Sequence, residues 1–188
     1  MKHVTVFIVI VSLSIATVKA QNFHIGAKAG INLASFSGDF DNDKAKISFH
    51  LGGMVEIPVL DAVSVQPELL YSSQGAKSIF GEEFTLNYLT VPIMAKYYVW
   101  ETLSVEAGPQ IGFLVSAKSE LGGQTDDDIT DITKAIDFGL GFGLGYKLKN
   151  QVHFGLRYYF GSDFNSTGDG STKLNNNVLQ ISAGYFFN

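Results

Sequence analysis

Eight charged residues of this sequence alternate with large apolar residues along the chain. They are Lys28, Glu56, Glu68, Lys96, Glu106, Asp137, Lys147 and Arg157. Carboxylates such as Glu56, Glu68 and Glu106, with Lys96 as a partner, are the residue types that perform acid–base catalysis in an envelope hydrolase. No nucleophile elbow and no metal-ligand spacing accompanies them. We therefore expect these residues to form a structural network of ion pairs, and we expect no enzymatic activity.

A second candidate site is the stretch "DFDNDK", in which Asp39, Asp41 and Asp43 place carboxylates at alternate positions. This spacing resembles the first half of a calcium-binding loop. The glycine at the sixth position and the glutamate at the twelfth are absent, because Lys44 and His50 stand there. The stretch is thus a weak candidate for a metal site, and a solvated loop is the alternative.

A third candidate is the stretch "GAKAG" at residues 26–30, which could belong to a phosphate-binding loop. It lacks the Gly-Lys-Ser/Thr ending of such a loop, and no helical pattern follows it. The same residues fit one face of a β-strand, and we expect no cofactor.

The elements that must position these side chains follow a period of two residues. Between Asp137 and Lys147 every even position is large and apolar, and every odd position is glycine or charged. A strand places these two sets on opposite faces, whereas a helix would mix them and lose about 1 kcal/mol at each glycine. The same alternation predicts eight strands, at residues 23–33, 47–57, 63–72, 89–99, 103–113, 137–147, 152–160 and 179–187.

The predicted strands and connections are those of a membrane barrel. Most of these strands span about 9–13 residues, as transmembrane β-strands require. The connections at residues 58–62, 100–102 and 148–151 are short, whereas those at 35–46, 75–83, 116–136 and 161–177 are long and polar. We expect an all-β, eight-stranded antiparallel up-and-down transmembrane barrel with short periplasmic turns and long outer loops. The acidic stretch "QTDDDITD" at residues 124–131 could attract cations or a basic partner, but we expect a solvated, mobile loop.

Residues 1–20 have the order of a secretory signal peptide. Lys2 precedes fifteen apolar or small residues, and Val18-Lys19-Ala20 precedes the expected cleavage site. The expected mature domain, residues 21–188, has 11 Lys and Arg against 18 Asp and Glu, once Lys2 and Lys19 are removed. An exported chain with a net charge of −7 is a poor candidate for nucleic-acid binding. The sequence contains no Cys, so disulfides and lipid attachment at cysteine are excluded.

Aromatic residues and charges support the same orientation. Five aromatic side chains lie near the short-turn ends of their strands, as in an interfacial girdle: Tyr97, Trp100, Tyr146, Tyr185 and Phe187. The eight charges then face a narrow lumen, with four acids against four bases. Because Glu68 and Lys96 lie on consecutive strands, we expect them to pair.

Four segments resemble the PorT-like outer-membrane β-barrel family: "IGAKAGINLASFSG", "SVQPELLYSSQGAK", "YLTVPIMAKYY" and the C-terminal "GYFFN". The last strand also resembles the signal that outer-membrane assembly machinery reads, although Ser182 replaces the usual glycine and Asn188 follows the last aromatic residue. The resemblance implies a bacterial outer-membrane location, contact with membrane lipid and a possible protein partner in the envelope. Some relatives are linked to secretion or gliding machinery.

Two classes of function remain open from the sequence. The first is a non-enzymatic outer-membrane protein with a structural, adhesive or secretion role through its outer loops. The alternative is a secreted, soluble, lipocalin-like barrel that binds a small apolar ligand. The second class requires the large apolar face to point inward.

Overall fold

The computed structural model describes residues 23–38, 44–77, 82–121, 124–128, 134–163 and 174–187. Within these residues the chain forms nine antiparallel strands. The expected signal peptide and the candidate metal ligands Asp39, Asp41 and Asp43 lie outside the described residues. In the described part, no helix has the length and apolar character needed to cross a membrane.

Eight of the strands close into one barrel. Each strand pairs with its neighbours in sequence, except that β5 pairs with β7, and the pairing of β1 with β9 closes the circle. The strands are β1 (His24–Gly38), β2 (Lys44–Leu60), β3 (Val63–Lys77), β4 (Glu82–Tyr98), β5 (Leu103–Leu121), β6 (Gln124–Asp128), β7 (Ile136–Lys147), β8 (Val152–Asp163) and β9 (Leu174–Phe186). The predicted fold is therefore confirmed.

The period of two decides which side chains face outward. On β7, Phe138, Leu140, Phe142, Leu144 and Tyr146 are exposed on the outer surface. The intervening glycines face the lumen, where side chains of β8 pack against them. All five aromatic residues expected at the short-turn end are exposed, with Trp100 the most exposed of them at 67%. The barrel thus presents an apolar outer surface and a polar interior, as a lipid environment requires.

The strands extend beyond their predicted ends on the side of the long connections. The strands β2 and β4 have 17 residues each, and β5 has 19. In this upper part the period of two fades although the backbone pairing continues, because Ser72, Ser73 and Gln74 of β3 are buried in succession. The sequence pattern therefore marks the apolar band and not the ends of the strands.

The ninth strand corrects the prediction for the acidic stretch at residues 124–131. Residues Gln124–Asp128 form β6, which pairs with Lys118–Leu121 of β5 above the point where β7 leaves β5. The residues of β6 are all polar, so the sequence shows no alternation there, and the backbone pairing alone defines the strand.

Irregular backbone occurs at two defined places. Gly75 has φ 129° beside a register shift between β2 and β3, and a Cβ atom there would overlap the carbonyl oxygen of Phe84. Gln151, in the short turn between β7 and β8, has φ 70°. Its carbonyl oxygen accepts the N–H of Phe186 at 3.1 Å, which ties this turn to β9.

Candidate functional site in the barrel lumen

The lumen contains a buried group of charges that we call the central cluster: Lys28, Glu68, Glu106 and Arg157. Arg157 donates two hydrogen bonds to Glu68, at 2.8 and 3.0 Å, and its Nε donates to Glu106 at 2.8 Å. The ammonium of Lys28 donates to both carboxylate oxygens of Glu68, at 3.1 and 3.2 Å. Two acids and two bases balance here, so the central cluster is neutral.

The fold brings the four residues of the central cluster from four strands to one level. Lys28 lies on β1, Glu68 on β3, Glu106 on β5 and Arg157 on β8. Glu68 is 3% exposed and accepts a further hydrogen bond from Gln66 at 2.7 Å. Burial of a carboxylate is costly unless it is paired and hydrogen-bonded. The dense set of donors around Glu68 meets that requirement.

A second group, the lower cluster, lies towards the short-turn end and consists of Glu56, Lys96 and Lys147. Lys96 donates to Glu56 at 3.2 Å and to the side-chain oxygen of Gln66 at 3.0 Å. Tyr98 donates its hydroxyl to the other oxygen of Glu56. Lys147 lies 3.9 Å from Glu56, beyond hydrogen-bond distance.

The structure corrects the expected pair of Glu68 and Lys96. Lys96 is bonded to Glu56, whereas Glu68 is bonded to Lys28 and Arg157. In the β3–β4 register Lys96 stands opposite Ser64, and Glu68 lies four residues further along β3. The register of the strands therefore places these two side chains at different levels of the lumen.

Asp137 lies apart from both clusters, nearer the long-loop end. It accepts the hydroxyl of Tyr159 at 2.9 Å. Between Asp137 and the central cluster lies a layer of polar uncharged side chains, in which Asn32 donates to Ser72 at 3.0 Å and pairs with His50 at 2.7 Å. Further out, Asn176 donates to Gln74.

Sequence reasoning missed several of these polar residues. Gln66, Tyr98, Tyr159 and Asn32 each form a hydrogen bond inside the lumen with a side chain of another strand. All four stand at inward positions of the period of two, which is the signal that would have found them. Their partners lie on other strands, and the sequence alone carries no sign of these contacts.

The net charge of the protein is concentrated at the long-loop end. Counted along the sequence, the outer ends of the strands and the segments that connect them hold twelve Asp and Glu but only six Lys. The eight lumen charges cancel, and the short turns hold Asp61 and Glu101 against Lys149. Along the sequence, nearly all of the expected net charge of −7 therefore belongs to the outer strand ends and the long connections.

One of these outer acids is held in an ion pair above the apolar band. Glu83 contacts Lys77 at 2.9 Å and Lys46 at 3.2 Å. The hydrogen bond from Lys77, followed by that from Lys46, lowers the pKa of Glu83 below its ordinary value, although partial burial opposes the shift.

The lumen is chemically suited to packing and ion pairing. Within the described ranges, no group of three or more His, Asp or Glu has the arrangement to hold a metal ion. Glu56 and Glu68, two of the candidate catalytic carboxylates, form ion pairs with Lys96 and Arg157. The large apolar side chains face outward, which is the opposite of what a soluble, lipocalin-like carrier of apolar ligands requires.

Comparison with known proteins defines the class. Residues 19–165 match the family described as the outer membrane protein beta-barrel domain. The chain belongs to this family, which places it in the bacterial outer membrane.

Solved structures show the same fold. Neisserial surface protein A has 14% sequence identity and a TM-score of 0.56, and the match covers 88% of this chain and 97% of that one. Ail, the attachment invasion locus protein of Yersinia pestis, has 17% identity and a TM-score of 0.56, with 87% and 98% covered. A second structure of Ail, in complex with the heparin analogue sucrose octasulfate, has a TM-score of 0.54 at 17% identity, with 88% and 99% covered. No curated protein sequence matches the chain.

Proposed function

We propose that this protein is a non-catalytic, PorT-like outer-membrane protein that binds a protein partner through its outer side. In this proposal residues 1–20 are a cleaved signal peptide, and outer-membrane assembly machinery inserts the barrel. The partner is a protein of the envelope or of the surroundings, and the role is structural, adhesive or part of a secretion apparatus.

The filled lumen supports a role other than transport. The lumen of an eight-stranded barrel is wide enough only for side chains or one small ligand. Here Arg157 crosses it to reach Glu68 and Glu106, and Tyr159 and Tyr88 are fully buried further out. In this proposal the eight lumen charges have a structural role, because they hold the strands in register.

The distribution of charge is the observation that carries the proposal. A lumen with no net charge and an outer side with twice as many acids as bases indicate that the outer side meets the charged partner. Because acidic residues outnumber basic residues on the outer side, we expect a partner with a basic surface. Ail was solved with sucrose octasulfate, a polyanion. The acidic outer side of this chain does not favour a ligand of that kind.

Two experiments test the proposal. Cells are fractionated, and the protein is run on gels with and without heating. Membrane fractionation with heat-dependent mobility is expected, and a soluble periplasmic pool would refute the membrane assignment. If the protein is non-catalytic, the purified barrel should not turn over lipid or peptide substrates.

The partner is sought by surface cross-linking followed by affinity purification. The test variant replaces Asp126, Asp127 and Asp128 by Asn, and the matched control replaces Asp61 by Asn and Glu101 by Gln in the periplasmic turns. We expect the first variant to lose at least half of the recovered partner at physiological salt, and the control to retain it. Equal recovery in both variants would show that the acidic outer side does not bind the partner.

A further inference from the structure

A cavity of about 460 Å³ opens at the periplasmic end of the barrel, and we call it the vestibule. Residues of all three short turns contribute to it, including Asp61, Glu101 and Lys149. Its inner wall includes the side chains of five strand residues: His24, Glu56, Ser64, Tyr98 and Lys147. The vestibule is separate from the acidic outer side, and nothing in the proposed function depends on it.

Two ammonium groups share one carboxylate at the inner wall. Lys147 lines the vestibule beside Glu56, and Lys96 is buried and does not line it, whereas the turns contribute Asp61 and Glu101 against Lys149. Among the described residues, Glu56 is the only carboxylate within ion-pair distance of Lys96 or Lys147. Lys96 takes the closer position at 3.2 Å and is also bonded to Gln66. Tyr98 donates to the remaining oxygen of Glu56. One carboxylate thus lies within ion-pair distance of two ammonium groups, but it accepts hydrogen bonds from Lys96 and Tyr98 and none from Lys147.

Lys147 is the cation that this arrangement leaves available. Its ammonium lies 3.9 Å from Glu56 and 4.5 Å from the centre of the Phe186 ring, and the side chain is 19% exposed. Neither contact is a hydrogen bond, so the three N–H donors of this ammonium have no hydrogen-bond acceptor among the described residues. The ring of Phe186 fixes the ammonium by a cation–π contact, which leaves it ordered and accessible.

We infer that the vestibule binds a carboxylate through Lys147. A carboxylate oxygen at hydrogen-bond distance from an ammonium makes a short, charge-assisted bond, and the low exposure of the wall strengthens it. Such a carboxylate has two sources, a small free acid or the C-terminal end of a peptide. Both present the same chemistry to Lys147, and the cavity volume admits either.

The test follows backbone amide signals of the ¹⁵N-labelled full barrel in detergent micelles by NMR. The probes are acetate, triglycine with a free C-terminus, and triglycine amidated at its C-terminus. We expect acetate and free triglycine to shift the amide signals of Tyr98, Lys147 and Gln151, and amidated triglycine to leave them unchanged. Half-saturation by free triglycine at a concentration at least tenfold below that of acetate would identify a peptide end as the ligand; similar concentrations would identify a small free acid.

Two variants connect the binding to one side chain. Lys147→Met keeps the apolar stem on Phe186 and leaves Glu56 paired with Lys96, so the barrel is expected to fold with a closely similar spectrum. In this variant the affinity for carboxylates, measured from the amide shifts, should fall at least tenfold. Lys118→Met, which removes an exposed lysine of β5 at the opposite end of the barrel, is the matched control and should bind as the wild type does. Equal shifts with amidated triglycine, unchanged binding in Lys147→Met, or no shift with any carboxylate up to the solubility of the probe would overturn the inference.

Discussion

Replacement of Arg157 by Met is the sharpest test of the central cluster. Arg157 supplies three charge-assisted hydrogen bonds, two to Glu68 and one to Glu106. After the substitution, Glu68 keeps its contacts with Lys28 and Gln66. Among the described residues, Glu106 loses its hydrogen-bond donor and becomes a buried carboxylate without a partner.

The expected cost follows from that difference between the two acids. Removing one member of a buried ion pair costs about 3–5 kcal/mol, because the remaining charge stays buried and uncompensated. Three charged hydrogen bonds would each contribute about 1.5–3 kcal/mol if counted separately, but Lys28 and Gln66 keep part of the contribution at Glu68. We therefore expect the free energy of unfolding to fall by about 3–5 kcal/mol.

The assay is urea-induced unfolding of the folded barrel in micelles, followed by the fluorescence of Trp100. This residue is the only tryptophan in the chain, and it is exposed on the outer surface near a short turn. It reports the loss of the membrane environment without touching the central cluster. Midpoint and slope together separate a change of stability from a change of cooperativity.

A double variant distinguishes lost charge balance from lost packing. In Arg157→Met with Glu106→Gln, the central cluster is neutral again, because Lys28 and Glu68 remain. The double variant should recover about 1–2 kcal/mol relative to Arg157→Met alone. If Arg157→Met stayed within about 1 kcal/mol of the wild type, or if Glu106→Gln lowered stability further in that background, the description of the cluster as a balanced ionic unit would be wrong.

Three further perturbations test other parts of the structure by the same unfolding assay. Gly139→Ala places a Cβ in overlap with the carbonyl oxygen of Phe160 and 2.7 Å from the ring of Tyr159, whereas the nearest neighbours for Gly141→Ala lie at 3.4 Å. The first variant should lose about 1–3 kcal/mol and the second less than about 1 kcal/mol, and an inverted order would contradict the packing of β8 on β7. Because the pKa of Glu83 is lowered in the folded state, its contribution is present above the ordinary carboxyl pKa and is lost as the pH falls through the folded pKa. At this half-exposed site the wild type should be more stable than Glu83→Gln by at most about 1 kcal/mol, and this difference should vanish in acid. A difference that grew in acid would show that the pKa of Glu83 is raised rather than lowered by folding. Gln151→Gly should raise stability by about 0.5–1 kcal/mol, since glycine adopts φ 70° without strain, and a lower stability would argue against strain at this turn.

The sequence predicted the barrel because its signals are local. Alternation of large and small residues needs only neighbouring positions, and it assigned the inward side of every strand that carries a lumen charge. The aromatic residues at the short-turn ends are equally local, since each lies at a fixed distance from a turn. These signals gave the fold class, the outward apolar face and the eight charges inside.

The partners of those charges depended on closure of the barrel. Arg157 and Glu68 are 89 residues apart in sequence, and they meet only because β8 and β3 lie across the same narrow lumen. The expected pairing of Glu68 with Lys96 was wrong because adjacency of two strands does not define their stagger. Register is determined by all of the hydrogen-bonded neighbours at once, so no pair of strands reveals it alone.

The tertiary structure also determined the arrangement of the chain at the two ends of the barrel. In the acidic stretch the β6 strand exists because the upper part of β5 has a free edge once β7 has left it. The vestibule likewise exists because three turns, distant in sequence, meet at one end. Thus the sequence determined which residues face lipid and which face the lumen, because each strand must satisfy its own environment. Only the closed barrel decided which charges touch, because contact across a lumen is a property of all eight strands together.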